Sequence, residues 1–178
     1  YLDAAATRAL VNSPTYLGGQ WEQGDTALVH PAKLALELAR VAVELGVEIF
    51  EHSRVTGLDD GPVVRTASGS ISARQVALAT NVFPTLLKRN LLMTVPVYDY
   101  VLMSEPLSAQ QRAAIGWEGR QGIADLANQF HYYRQTADGR ILFGGYDAVY
   151  YSGGKVRAKY ENRPESFQKL AAHFFTTF

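Results

Sequence analysis

The sequence predicts an α/β unit joined to an α+β unit that contains an antiparallel sheet. A helix pattern that begins near residue 30 is followed by residues 76–79, a short apolar run typical of a parallel strand covered on both faces. Beyond residue 90 the composition turns to Val and Tyr, and Asp138-Gly139 separates two aromatic runs, which is a strong hairpin signal. We therefore expect a change of domain near residue 90.

The first predicted helix begins at His30-Pro31, because a residue before proline avoids the helical region and proline suits the first helical position. Apolar residues then recur at helical spacing, and Gly46 is placed to end the helix. These apolar residues are Leu34, Leu38, Val41 and Leu45. Because alanines lie between them, this helix is expected to be thin and largely buried.

Three extended segments are predicted after this helix. Residues 47–52 form a strand, and residues 63–66 and 70–73 form a hairpin around Ser68-Gly69. Residues 76–79 then form the buried strand. This order predicts one half of a doubly wound sheet with a decorated edge.

The second unit is predicted from three signals along the chain. Residues 95–103 are rich in Val and Tyr, residues 108–115 have the pattern of a short helix, and residues 128–134 face residues 140–146 across the Asp-Gly turn. An antiparallel sheet with helices is the expected result.

The two ends of the chain are assigned to this same unit. Residues 164–178 carry an apolar helical stripe, which predicts a closing helix. The stripe consists of Phe167, Leu170, Ala171 and Phe174. Residues 1–28 contain Pro14 and Gly18-Gly19 and are predicted to be irregular or edge-strand material.

Composition excludes several classes of function. The 17 basic and 17 acidic residues cancel without forming blocks, so nucleic acid and anionic membrane surfaces are not expected as partners. No apolar run reaches the roughly 18 residues that a membrane span needs. The absence of cysteine excludes disulfides and thiolate chemistry in these residues and agrees with the cytoplasmic location that we expect. The four histidines lack metal-ligand spacing, so no metal site is predicted.

The end of the predicted buried strand is the sharpest signal for a ligand. Small side chains at Ala79 and Thr80, followed by Asn81, which tolerates a positive φ, let a backbone approach a bound nucleotide. A core strand that ends in a polar turn would show the same pattern, and both interpretations are open.

Together these motifs resemble the D-amino acid oxidase-like family of FAD-dependent oxidoreductases, which includes glycine, sarcosine and γ-glutamylputrescine oxidases. The resemblance covers residues 25–178, and its continuation into the closing helix is most similar to the putrescine-catabolic branch. The motifs that carry it are His30-Pro31 with its helix, Gly46-Val47, Ala79-Thr80-Asn81, Tyr132-Tyr133-Arg134 and the run from Asp138 to Gly145.

The resemblance implies FAD as the cofactor and a small-molecule amine or amino acid as the substrate. Residues 29–90 would form part of a Rossmann-like FAD-binding domain, and residues 1–28 and 91–178 would form a truncated substrate domain. The backbone of Val55 would contact the adenine, and Ala79, Thr80 and Asn81 would lie beside the dinucleotide. For Val55, a role as a core valine is equally open.

No Gly-x-Gly-x-x-Gly strand-turn-helix occurs in these residues, although the resemblance implies one for the pyrophosphate. The chain also begins at Tyr1 without Met and stops within an apolar run. We therefore expect a central fragment of an oxidoreductase, inactive alone and binding FAD weakly or not at all. Hydride transfer to flavin needs no general base, so no catalytic residue is nominated.

The substrate side is predicted on the hairpin. Alternation places Phe130, Tyr132 and Arg134 on one face of their strand, and the resemblance makes Tyr132 a substrate-facing tyrosine. Packing of Tyr132 and Tyr133 over Gly144 and Gly145 is the open alternative.

Three further residues are candidates for the substrate side. Arg134 would pair with a substrate carboxylate, or else form a structural ion pair with Asp138 or Asp147. Tyr98 and Tyr100 share a face of their strand and would line the cavity, or else serve in packing.

A second function class is also open from the residues. The chain would then be a non-enzymatic α+β module whose tyrosine-rich face recognises a protein or peptide, since aromatic residues are enriched at interfaces. The sequence carries no signal for an oligomeric state.

Overall fold

The computed structural model describes residues 1–83 and 85–178. Two compact units divide the chain: the sheet unit comprises Tyr1–Leu28 and Pro96–Phe178, and the helix-hairpin unit comprises Val29–Val95. The fold is mixed α/β, with antiparallel sheets and four α-helices in the described residues. None of these helices combines the length and the hydropathy needed to cross a membrane.

In chain order, the helices and strands are β1 (Leu2–Asp3), α1 (Ala4–Leu10), β2 (Gly18–Gly19), α2 (Pro31–Glu44), β3 (Val55–Asp59), β4 (Val63–Thr66), β5 (Ser70–Ser72), β6 (Val101–Met103), α3 (Ala109–Ile115), β7 (Ile123–Ala124), β8 (His131–Gln135), β9 (Ile141–Gly145) and α4 (Pro164–Thr177).

The centre of the sheet unit is a four-stranded antiparallel sheet in the order β6-β9-β8-β7. Strands β8 and β9 form the predicted hairpin, in a register that sets Tyr132 opposite Gly144 and Tyr133 opposite Phe143. Gly139 occupies the turn with φ of +81°, a conformation that glycine adopts at little cost. The hairpin prediction is therefore confirmed.

Helix α4 covers one face of this sheet. Ile141, Phe143 and Leu170 are completely buried, and the ring of Phe174 meets Phe143 edge-to-face at 5.7 Å between centroids. The closing helix predicted from the apolar stripe is thus confirmed. Burial of a large apolar side chain contributes about 1.5–3 kcal/mol, so this layer is a main source of stability in the unit.

Helix α3 is also confirmed, and a capping box, which is a reciprocal pair of hydrogen bonds between Ser108 and Gln111, forms its start. The Gln111 N–H donates to Ser108 Oγ at 3.2 Å, and Gln111 Oε1 accepts from the Ser108 N–H at 2.8 Å. The extended segment before α3, predicted over residues 95–103, forms a regular strand only from Val101 to Met103. Before it, Tyr98 forms an isolated bridge with Val149.

Helix α1 corrects the expectation of irregular structure in residues 1–28. Asp3 caps the helix by accepting the Ala6 N–H at 2.8 Å, and the following residues are rich in alanine, the best helix former. The signal was an Asp before an alanine run.

Helix α2 has the predicted ends but not the predicted burial. His30 Nδ1 accepts the Lys33 N–H at 3.3 Å, Pro31 occupies the first turn, and Gly46 follows the helix with φ of +91°. However, none of its residues is buried, and no Cα of α2 lies within 8 Å of another helix or strand in the described part of the chain. The apolar stripe indicated a partner layer that the described unit does not supply.

The strands of the helix-hairpin unit form the antiparallel meander β3-β4-β5, which confirms the predicted hairpin. Residues 47–52 and 76–79 form no strand, so these two predictions are wrong. A parallel strand takes its hydrogen bonds from a neighbour reached by a crossover, whereas the described unit pairs only sequential antiparallel strands. The predicted half of a doubly wound sheet is therefore not formed by the described residues.

Candidate functional site

The two faces of the four-stranded sheet carry different residues. Alternation along β8 sends Tyr132 and Arg134 to one face, here called the open face, and sends His131 and Tyr133 to the other, here called the packed face. Tyr133 is 4% exposed and packs against Phe143 with 5.1 Å between ring centroids. The packed face is the one that α4 covers.

Tyr132 lies flat on the open face because Gly144 is opposite it. A Cβ at position 144 would lie 2.7 Å from the Tyr132 ring carbon Cζ and 2.9 Å from Val101 Cγ2, so a side chain there would displace one of these neighbours. The Tyr132 ring therefore covers Gly144, as the packing interpretation predicts. The Tyr132 hydroxyl lies on the open face as well, so packing and a substrate contact are compatible.

The Tyr132 hydroxyl has one hydrogen-bond partner in the described residues. It donates to Asp99 Oδ2 at 2.8 Å. Burial, followed by the hydrogen bond and the negative charge of Asp99, raises the pKa of Tyr132 to about 12. The hydroxyl consequently stays protonated at neutral pH and can serve as a hydrogen-bond donor or acceptor, not as a base.

Two other predicted residues share the open face with Tyr132. Phe130 is 50% exposed, and its ring centroid lies 6.4 Å from that of Tyr132. Arg134 is half-buried and pairs with Leu142 in the strand register. Two residues along a strand correspond to about 7 Å, so Arg134 lies next to Tyr132 on this face.

Asp138 and Asp147, the alternative structural partners predicted for Arg134, form ion pairs with other basic residues. Asp138 accepts a hydrogen bond from Arg140 Nε at 2.8 Å. Asp147 lies 3.2 Å from Arg163 Nη1 and 3.4 Å from Lys169 Nζ. These ion pairs brace the turn and α4.

Tyr98 and Tyr100 share a face, but the structure does not bring them to Tyr132. Tyr100 is 4% exposed and donates its hydroxyl to the Tyr160 carbonyl at 2.7 Å. The Tyr98 hydroxyl accepts the Arg157 N–H at 2.9 Å. Both rings lie in an aromatic cluster on the packed face, beside Tyr151 and Phe167.

The residues predicted to lie beside the cofactor belong to the helix-hairpin unit. Val55 is the first residue of β3, half-buried and opposite Thr66. Asn81 has φ of +50°, as predicted, in a turn closed by the Phe83 N–H donating to the Thr80 carbonyl at 3.1 Å. Ala79 is exposed.

These features fit one part of a dinucleotide. An exposed small side chain beside a left-handed backbone turn leaves space for a ligand against the main chain. The 178 residues contain no glycine-rich phosphate loop, so the fit does not extend to the pyrophosphate.

The packed face holds a hydrogen-bonded chain that sequence reasoning missed. His131 Nδ1 lies 2.6 Å from Asp125 Oδ2, and His131 Nε2 lies 2.9 Å from His173 Nδ1. Burial, followed by the nearby His131 and Lys169, lowers the pKa of His173. The two histidines are 42 positions apart, and no local pattern predicts that pairing.

A cavity of about 480 Å³ opens on the packed side of the sheet unit, between the N-terminal segment and β7. Its lining includes Tyr16 and Tyr133, whose hydroxyls are 2.8 Å apart. Burial raises the pKa of both. Within residues 1–83 and 85–178, no group of three potential metal-ligating side chains occurs.

An antiparallel sheet with one covered face and one open aromatic face is suited to small-molecule binding. Comparison with known proteins gives the class. The family model described as DAO, FAD dependent oxidoreductase, matches residues 1–178. The chain belongs to this family.

Similar curated proteins are oxidoreductases. A probable oxidoreductase OrdL of Haemophilus influenzae is 32% identical over 150 residues, which cover 80% of this chain and 34% of that protein. The gamma-glutamylputrescine oxidoreductase of Escherichia coli is 33% identical over 152 residues, or 81% of this chain and 34% of that protein. The chain spans about a third of the length of these relatives. No solved structure gives a significant match.

Proposed function

We propose that the protein carrying this chain oxidises a carbon–nitrogen bond of an amine or amino acid with FAD. The observation that carries the proposal is the open face, where Tyr132 lies over Gly144 with its hydroxyl on Asp99, in a chain of the FAD-dependent oxidoreductase family. The name of the gamma-glutamylputrescine oxidoreductase supports an amine as the substrate.

The residues of the open face would bind and orient the substrate. The Tyr132 hydroxyl orients an amino or carboxylate group of the substrate, and the rings of Tyr132 and Phe130 exclude water. Arg134 provides a positive charge for a substrate carboxylate. When bound, FAD supplies the redox chemistry, which is acceptance of a hydride equivalent from the carbon bearing the amine and reoxidation by oxygen. No residue of the chain is required as a base.

The helix-hairpin unit would hold the adenosine end of the cofactor. Val55 contacts the adenine through its backbone, and Ala79, Thr80 and Asn81 lie along the dinucleotide. In this proposal residues 29–90 belong to a Rossmann-like FAD-binding domain, and residues 1–28 and 91–178 belong to the substrate domain. The 178 residues alone bind FAD weakly or not at all and are inactive, and the protein is cytoplasmic.

The distribution of tyrosines favours this proposal over a tyrosine-rich recognition module. Tyr98, Tyr100 and Tyr133 direct their hydroxyls to partners within the sheet unit. Tyr132 is half-buried and hydrogen-bonded as well. A face built for protein recognition would present several of these rings to solvent.

The test is the visible spectrum of the full polypeptide that contains this sequence, purified without added cofactor. We expect flavin absorbance that bleaches when an amine is added without oxygen and returns on exposure to air. Absence of flavin after incubation with FAD, or flavin that no member of an amine and amino acid panel bleaches, would contradict the proposal.

A further inference from the structure

Asp99 is held on the open face by its two neighbours. Tyr98 pairs with Val149 through two backbone hydrogen bonds of 2.9 and 3.0 Å, and Tyr100 is buried on the packed face. Because successive side chains of an extended segment point to opposite faces, anchoring both tyrosines fixes the direction of Asp99. The carboxylate is therefore positioned by the fold although its residue is exposed.

The Asp99 carboxylate has unused acceptor capacity. One of its oxygens, Oδ2, accepts the Tyr132 hydroxyl at 2.8 Å. An ionised carboxylate offers about four acceptor positions.

The surroundings of Asp99 suit an alkyl chain that ends in a cation. The open face exposes apolar side chains beside the Asp99–Tyr132 pair: Phe130 is 50% exposed, Val101 38% and Met103 51%. Aromatic ring faces attract ammonium groups, and a carboxylate adds a charge-assisted hydrogen bond. The apolar side chains would contact the alkyl chain of an alkylammonium ion, and the Asp99 carboxylate and the aromatic rings would contact its charged end.

We propose that Asp99, oriented by Tyr132, binds a protonated amino group of the substrate other than the one that is oxidised. The substrate class is then amines that carry a second amino group, such as diamines. The proposed role of Asp99 rests on the proposed function, because it concerns the substrate of the same reaction. The second amino group is implicated because a carboxylate in contact favours the protonated form of an amine, whereas the reacting amine must be neutral when its carbon loses hydride.

The test compares putrescine with butylamine on the FAD-loaded full polypeptide. The two amines share a four-carbon chain and differ in the second amino group. A hydrogen bond to a charged group contributes about 1.5–3 kcal/mol, so Asp99→Asn should lower kcat/KM for putrescine by about 10-fold or more and leave butylamine within about 2-fold. Asp60→Asn, which removes an exposed carboxylate in the helix-hairpin unit, should change neither.

A binding measurement provides a second readout that does not depend on turnover. Calorimetric titration of putrescine into the apoprotein should show weaker binding for Asp99→Asn than for the wild type. Tyr132→Phe, which keeps the charge and removes the orienting hydroxyl, should reduce the preference for putrescine over butylamine by a smaller factor. This variant also tests the idea if Asp99→Asn does not fold.

The outcomes separate the two proposals. Equal losses for putrescine and butylamine, or unchanged putrescine binding in Asp99→Asn, would overturn the role of Asp99 while amine oxidation stands. If no amine reduces the flavin, the proposed function fails, and the calorimetric comparison still decides whether Asp99 binds the second amino group.

Discussion

The packed and open faces of the four-stranded sheet differ in how far their polar side chains are exposed to solvent. On the packed face, Tyr98, Tyr100 and His131 all direct polar atoms to partners within the unit. On the open face, the exposed Asp99 carboxylate accepts the Tyr132 hydroxyl through one of its oxygens. Buried polar groups must be satisfied for the fold to be stable, whereas unsatisfied acceptors are available to a ligand. The packed face thus contributes to stability, and the open face is the one that we propose for substrate binding.

The largest contrast is expected from truncating one phenylalanine on each face. Phe143→Ala removes a completely buried ring and should lower the free energy of unfolding by about 3–5 kcal/mol. Phe130→Ala on the open face, where the ring is half-exposed, should cost about 1 kcal/mol or less. Urea unfolding monitored by near-ultraviolet circular dichroism measures both. Equal losses would show that the open face is also part of the core.

Gly144→Ala sharpens the comparison by adding one methyl group to the open face. The new Cβ would contact the Tyr132 ring and Val101, and overpacking of this kind costs about 1–3 kcal/mol. Gly69→Ala is the matched control, because a Cβ there meets nothing within 4 Å. A Gly144→Ala variant as stable as the control would mean that Tyr132 is not held against Gly144.

The packed face should respond to acid through His173. Because its pKa is lowered in the folded state, the unfolded chain takes up the proton first as the pH falls below about 6.5, and stability declines through that range. Urea midpoints measured from pH 8 to pH 5 should therefore fall more in the wild type than in His173→Gln. Parallel curves for the two proteins would argue against a neutral His173 in the Asp125–His131–His173 chain.

The open face should respond to alkali through Tyr132, whose pKa is raised to about 12. Asp99→Asn removes the negative charge but not the burial, so the pKa should fall yet remain above the ordinary value of about 10. The folded state keeps its proton longer than the unfolded state, so this contribution to stability is lost as the pH rises above about 10. The pKa of Tyr132 in Asp99→Asn is measured from the tyrosinate absorbance of that variant during an alkaline titration, after subtraction of the absorbance of Tyr132→Phe. An unchanged value would exclude the contact with Asp99.

Local elements were predictable where their signals are contained in a few neighbouring residues. The proline start and glycine end of α2, the short helix α3 and the Asp138-Gly139 hairpin were all predicted, and each follows from preferences of neighbouring residues. The positive φ of Asn81 was predictable for the same reason, because asparagine tolerates this backbone conformation.

Predictions failed where the outcome depends on distant partners. Residues 47–52 and 76–79 have strand composition, but a parallel strand needs a neighbour that the described residues do not place beside them. Likewise, the apolar stripe of α2 predicts burial without indicating what would cover it.

The site shows the same division between local and distant information. Alternation along β8 correctly separates Tyr132 from Tyr133, which are buried to different degrees. The sequence could not show that Asp99 reaches Tyr132 across 33 positions, or that His131 reaches His173. Such contacts depend on the strand order, which local patterns do not contain.

The central claim is that the open face, not the packed face, meets the substrate. Rapid mixing of the FAD-loaded full polypeptide with an amine substrate in the absence of oxygen measures the rate of flavin reduction directly. We predict that Tyr132→Ala retains flavin but slows reduction by about 10-fold or more, as expected when an orienting contact is lost. Tyr98→Phe on the packed face should leave the rate unchanged. Equal rates for wild type and Tyr132→Ala, or slowing confined to Tyr98→Phe, would contradict the account.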